Sequence, residues 1–225
     1  QAARTLPTMA GHTQAASGRS VLGGITQVLA DGNHRWAFLF SALLMFTGFT
    51  VIPYITIYMQ TNAGVRADRV PLLYLCGGVG TLFTARLFGR MTDRHGKVPT
   101  FRWLALAGLP CILGITLVQG LPLWGVLVVS TLMFTFVSGR MIPGMAIIAS
   151  AAHAPLRGTF MTLNASVQSA AMGVASFVGG VLISRDAQGL VQNYWVAALV
   201  GISASLLSML VVGRLTLHGA TPSAR

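Results

Sequence analysis

Six stretches of this chain are each long and apolar enough to cross a lipid bilayer, and that property dictates most of what it can fold into. They run roughly over residues 36–59, 70–91, 98–119, 122–150, 159–184 and 190–212. A spanning helix needs about 20 mostly apolar residues, and six spans take up well over half of the 225 residues, leaving no room for a soluble domain. Inside hydrocarbon every backbone polar group must be satisfied within the segment, which favours helices. Strand-period alternation is absent, which argues against a barrel. The expectation is an all-α membrane protein with six transmembrane helices spanning residues 35–214. Residues 1–34 are then a polar linker, with a short interfacial helix over 21–30, and residues 215–225 a tail.

Charge is scarce and placed accordingly. Only 8% of residues are charged and glutamate is absent, against about 25% in soluble domains. The net charge of +11 raises nucleic acid as a partner, but the cations fall in short clusters between apolar runs, as loops of a membrane protein require. No nucleic-acid partner is expected. Eleven of the fifteen cations (Arg4, Arg19, Arg35, Arg86, Arg90, Arg94, Lys97, Arg102, Arg157, Arg214 and Arg225) belong to one side of the six spans. Arg66, Arg69 and Arg185 belong to the other. The positive-inside rule makes the rich side cytoplasmic, with both termini there. Trp36, Trp103, Trp124 and Trp195 lie near span starts, as an interfacial belt requires.

Pro71, Pro99 and Pro122 mark helix beginnings. Pro53, Pro110 and Pro143 fall inside spans and free the carbonyls of Phe49, Leu106 and Gly139. Cys76 and Cys111 lie in apolar runs and read as small hydrophobes; a disulfide between them has no support. No metal-ligand spacing is present, and neither a metal nor a cofactor is expected. The chain opens on Gln1 without a basic-then-apolar leader, so it reads as a piece of a longer polypeptide.

Small residues four apart mark close helix contacts in membranes. They occur as Gly77, Thr81, Ala85 and Gly89; as Ala165, Ser169 and Gly173; as Ala171, Ala175 and Gly179; and as Ala197, Gly201 and Ser205. Polar residues at depth are candidates for a cavity lining. These are Thr47, Thr50, Tyr54 and Tyr58 on one face of the first span, Tyr74 with Thr81 and Thr84 in the second, and Asn164 and Gln168 one turn apart in the fifth. The plainer reading of each is an interhelical hydrogen bond. All five histidines read as loop or tail residues, and no acid lies deep in a span. Arg140 is the only charge well inside one. It either snorkels to the interface or plays a buried part, pairing with the Gly139 carbonyl, with Asp93 or with an acid elsewhere. The buried part is preferred, as a seat for an anionic substrate group or a bias on a proton-carrying acid.

The most specific segment is Gly89-Arg90-Met91-Thr92-Asp93-Arg94-His95-Gly96-Lys97. It reads as a helix end, a tight turn and a helix start. Gly89 permits close contact, Asp93 caps the next helix, Gly96 relieves the turn, and Arg94 and Lys97 hold the loop on the cytoplasmic side. This resembles the signature loop of the major facilitator superfamily, G-x-x-x-D-R-x-G-[RK], which follows the second helix of each six-helix half. Arg140-Met141-Ile142-Pro143-Gly144 is similar to the family's R-x-x-q-G motif, with Pro143 at the usual polar position. Residues 157–164, with Pro155-Leu156 before them, resemble the carboxyl-terminal half of bacterial drug- and sugar-efflux permeases.

The resemblance covers about residues 20–214. It implies one half of a twelve-helix transporter, its spans being helices seven to twelve, with the first, second, fourth and fifth of the half bordering the cavity. It further implies efflux of a small organic molecule by alternating access, proton-coupled antiport, an inner-membrane location and an amino-terminal six-helix half as partner. Asp93 would then be a conformational latch. The alternative is a sugar or organic-anion importer of the same superfamily. An enzyme is not expected: Ser203 has no histidine base in any span.

Overall fold

A computed structural model describes residues 21–218. The helices are α1 (Val21–Ala30), α2 (Gly32–Phe49), α3 (Ile55–Thr61), α4 (Val70–His95), α5 (Lys97–Gly114), α6 (Leu123–Gly139), α7 (Met141–Ala151), α8 (Arg157–Leu182) and α9 (Tyr194–Val211). Pairs α2–α3 and α6–α7 are broken spans. Five segments, Gly32–Thr61, Ala67–His95, Leu123–Ala151, Ala154–Leu182 and Tyr194–Arg214, are long and apolar enough to cross a membrane. The expected third span is α5, at the foreseen place, with its hydropathy lowered by Lys97 and Arg102 in its first turns. The chain is an all-α membrane protein in architecture. Its strands, β1 (Ser184–Arg185) and β2 (Val191–Gln192), form a two-residue antiparallel ribbon between α8 and α9. That ribbon is absent from the sequence expectation. It forms because Asp186 accepts from the Gln188 and Leu190 amides and from Gln192 Nε2, at 2.8–3.0 Å.

The chain enters α2 through a capped start. Asp31 Oδ1 accepts from the Asn33 and His34 amides at 2.7 and 3.2 Å, satisfying two of the four free N–H groups of a helix start. The first span therefore begins at Gly32, four residues before Trp36. Helix α1 packs on α2 and α8, with Gly24 facing Thr159.

Helix α2 is the axis of the bundle, packed on α7, α8 and α9. What lets it pack so closely is the small-residue stripes opposite. A Cβ on Gly179 would lie 2.6 Å from the Thr50 carbonyl oxygen, and one on Gly201 2.8 Å from that of Thr47. The stripe Ala171, Ala175 and Gly179 is buried, as are Ala197, Gly201 and Ser205. The other α8 stripe behaves differently: Ala165, Ser169 and Gly173 are exposed. On α4, Gly77 packs on Phe134, whereas nothing lies within 4 Å of a Cβ at Gly89. The close contact expected at Gly89 is thus not made.

Pro53 breaks α2, and neighbouring helices absorb the break. The Ser176 hydroxyl lies 3.5 Å from the freed Phe49 carbonyl, and the Tyr194 hydroxyl donates to the Val51 carbonyl at 2.9 Å. This is the satisfaction by neighbours that hydrocarbon demands. Two apolar cores result. One gathers Ile55, Met59, Leu73, Ile115 and Val126 at one end; the other gathers Phe40, Phe101, Ile147, Ile148 and Phe160 at the opposite end.

Candidate functional site

Helix α6 ends and α7 begins at Arg140, one turn before Pro143. The break turns the Arg140 side chain into the bundle, where it is 2% exposed. Its Nη1 donates to Ser205 Oγ at 3.1 Å and its Nη2 to the Leu44 carbonyl at 3.3 Å. Its Nε has no partner. Among the described residues no carboxylate lies within 4.0 Å of the guanidinium. Neither Asp93 nor the Gly139 carbonyl is its partner, contrary to two of the pairings expected above. Asp93 stands on the exposed last turn of α4, and the bonds run to α2 and α9 instead. Snorkelling is also ruled out by the burial.

A cavity of about 330 Å³ opens beside Arg140. Leu44, Met45, Gly48, Val137, Ser138 and Met141 line it. It is a mostly apolar, half-open pocket with one cation at its wall. Such a charge in hydrocarbon costs about 2.5–3.5 kcal/mol on insertion scales, and it persists chiefly where it serves a pathway or a ligand.

The expected lining is distributed otherwise. Thr47 and Thr50 are fully buried and return their hydroxyls to the carbonyls of Leu43, Phe46 and Thr47 in their own helix. Tyr54 donates to the Ser176 carbonyl at 2.5 Å and Tyr58 to the Thr116 carbonyl. This face of the first span is a packing seam against α8 and α9, and none of its residues borders the Arg140 cavity. Tyr74 is 41% exposed and shares a 2.7 Å hydrogen bond with Thr56. Gln168 Nε2 donates to Ser41 Oγ at 3.0 Å. Asn164 is 2% exposed and its Oδ1 is unpartnered, a second unsatisfied buried polar atom. The cavity walls that the sequence did not single out, Leu44, Met45 and Gly48, are apolar and carry no sequence signal beyond their helical face.

The loop after α4 is shorter than the motif suggested. Helix α4 continues through Asp93 and Arg94 to His95, and only Gly96 separates it from α5. Gly96 adopts φ 90° and ψ 157°, a region open to glycine and costly for other residues. It caps α5 without a side-chain bond, so Asp93 is not the cap. Arg94 is exposed, and Lys97 Nζ donates to Ser150 Oγ at 2.5 Å, tying the start of α5 to the end of α7.

The two least buried spans are those of α4 and α8. Only 17% and 11% of their apolar windows are covered, against 44–50% for α2–α3, α6–α7 and α9. Over the first half of α8 the bare face is small and polar at Thr162, Ala165, Ser166, Ser169 and Gly173, a composition suited to another helix or a wet cavity; over the second half it is apolar at Val174, Phe177 and Val181.

The family profile of the Major Facilitator Superfamily matches residues 34–224. No curated protein matches the chain.

Proposed function

Because the chain belongs to the Major Facilitator Superfamily, a family of membrane transporters of small molecules, we propose that it is the carboxyl-terminal half of a proton-coupled efflux transporter. The observation that carries the half-transporter reading is the poor cover of two separate spans, α4 and α8, together with the small and polar bare face over the first half of α8. A second six-helix bundle would cover both faces and enclose a substrate path between the halves. The cavity beside Arg140 supplies the chemistry. A buried guanidinium with no carboxylate beside it among the described residues attracts an anionic group of the substrate, or biases a proton-carrying acid contributed across the path. Residues 1–31 act as the linker between halves and 215–225 as the tail, the first span starting at Gly32 rather than at residue 35. Sugar or organic-anion import is the second reading, favoured by the same unpaired cation.

The test is transport by the chain alone and with a partner. Vesicles holding only residues 1–225 should show no proton-coupled flux of organic anions or cationic dyes above protein-free vesicles. Strong coupled flux from this chain by itself would sink the half-transporter reading.

The proposed orientation in the inner membrane puts the α4–α5 turn and both termini in the cytoplasm, in line with the eleven-to-three division of cations. The exposed Asp93 then serves as a latch to a cationic loop or helix start in the other half, a contact of about 0.3–1 kcal/mol. Asp93→Asn should slow turnover severalfold at unchanged expression. In a chain lacking Cys76 and Cys111, a cysteine at position 95 should resist an impermeant thiol reagent on intact cells while one at 66 reacts. Unchanged turnover removes the latch, and the reverse labelling removes the orientation.

A further inference from the structure

Away from the transport cavity, α2 and α8 begin and α7 and α9 finish at one end of the bundle, and a cluster of titratable side chains gathers there. Asp31 precedes α2, His34 lies in its first turn, His153 sits between α7 and α8, and His218 follows α9. Asp31 Oδ2 lies 3.1 Å from His153 Nε2 and 4.0 Å from His34 Nδ1. One ligand atom from each of Asp31, His34 and His153 lies within 4.8 Å of the other two. The His218 ring centroid is 4.1 Å from that of His153.

The donor set is chemically specific. Two imidazoles and a carboxylate suit zinc and its neighbours, and magnesium or calcium would call for oxygen alone. Zinc bonds of about 2.0–2.2 Å place the ligands of a tetrahedral ion roughly 3.3 Å apart, close to the 3.1 Å between Asp31 Oδ2 and His153 Nε2.

The surroundings are those of a supported site. Asp31 Oδ1 is held by the Asn33 and His34 amides, which aims the carboxylate and turns Oδ2 toward His153 Nε2. His34 Nδ1 is 3.3 Å from the Val28 carbonyl, the outer partner that commonly orients a metal-binding imidazole. The His153 amide reaches His34 Nε2 at 3.3 Å, a long contact that an ion can replace. The His34 side chain is fully buried, whereas those of His153 and Asp31 are 43% and 23% exposed. The site thus has a closed floor and an open mouth.

We propose that Asp31, His34 and His153 bind one divalent transition-metal ion of the zinc class, with the fourth position left to solvent at the open mouth. The ion would staple the entry to α2 to the α7–α8 connection.

Cobalt(II) is the probe, because a four-coordinate site gives it an intense visible absorption. The full chain, purified in detergent without an affinity histidine tag and stripped with chelator, should take up one equivalent with that signature. Zinc chloride should displace it and raise the Tm by several degrees, and magnesium chloride should do neither. His153→Ala and Asp31→Asn should each weaken cobalt binding at least tenfold, asparagine keeping the helix cap. His95→Ala, at the end of α4, should leave it unchanged. His34→Gln risks the fold, so the two more exposed positions carry the test. Binding that is equally tight in His153→Ala and the parent, or only weak octahedral cobalt, would overturn the site and leave an ion-free hydrogen-bonded cluster. The α8 face and Arg140 play no part in this readout, so it is independent of the transport reading.

Discussion

Arg140→Gln is expected to reduce transport by about 100-fold or more, with the protein still inserted and helical. The reason lies in what the guanidinium lacks. Two of its nitrogens are held by Ser205 Oγ and the Leu44 carbonyl, but Nε is free and no described carboxylate balances the charge. Glutamine keeps a donor for one of those partners and removes the charge. Each tenfold in rate is about 1.4 kcal/mol, so the expected loss is about 2.7 kcal/mol, the scale of a single charged contact with a desolvated group. Arg140→Lys preserves the charge but loses the planar fork, and a loss of about tenfold is expected. Ser205→Ala separates structure from function: it removes one acceptor, keeps the cation, and should shift Tm more than flux. Flux per inserted protein, together with thermal unfolding, reads all three. Parental flux in both Arg140 variants would mean that the residue only braces α2 against α9.

What the sequence made legible was whatever depends on short-range pattern. Apolar length located the helices, Pro71, Pro99 and Pro122 lie at or near their starts, and the short helix over 21–30 is present. What stayed hidden depends on which way a helix is turned. Thr47, Thr50 and Tyr54 form a polar stripe that reads equally well as cavity lining or as packing seam. Only the approach of Gly179 and Gly201 to the α2 backbone decides between them. His34 read as a loop residue, yet it is buried within α2 and stacked near Phe160, 4.8 Å between ring centroids. Its company with His153 is set by how α2 meets the α7–α8 connection, across 119 residues of sequence. No local spacing rule for metal ligands reaches that far.

The small-residue stripes permit an equally sharp forecast, because two stripes on one helix meet different fates. Gly179→Ala and Gly201→Ala should each destabilise the chain by about 1–3 kcal/mol, the usual cost of overpacking. The new methyl groups would stand 2.6 and 2.8 Å from backbone oxygens of Thr50 and Thr47, which cannot rotate away as a side chain could. Relief requires α2 to shift against α8 or α9, and that shift would open the seam that holds the Thr47 and Thr50 hydroxyls. Gly173 lies on the same helix as Gly179, but nothing stands within 4 Å of a Cβ there. In the chain alone Gly173→Val should alter stability by no more than about 0.5 kcal/mol, as for surface substitutions in general. If the bare α8 face docks a second six-helix bundle, the same variant should fail to assemble with that bundle and should lose flux. Thermal unfolding of the chain and co-purification with an amino-terminal half therefore give opposite rankings for Gly179→Ala and Gly173→Val. Identical rankings in the two measurements would place the α8 face against lipid and remove the main support for a partner half.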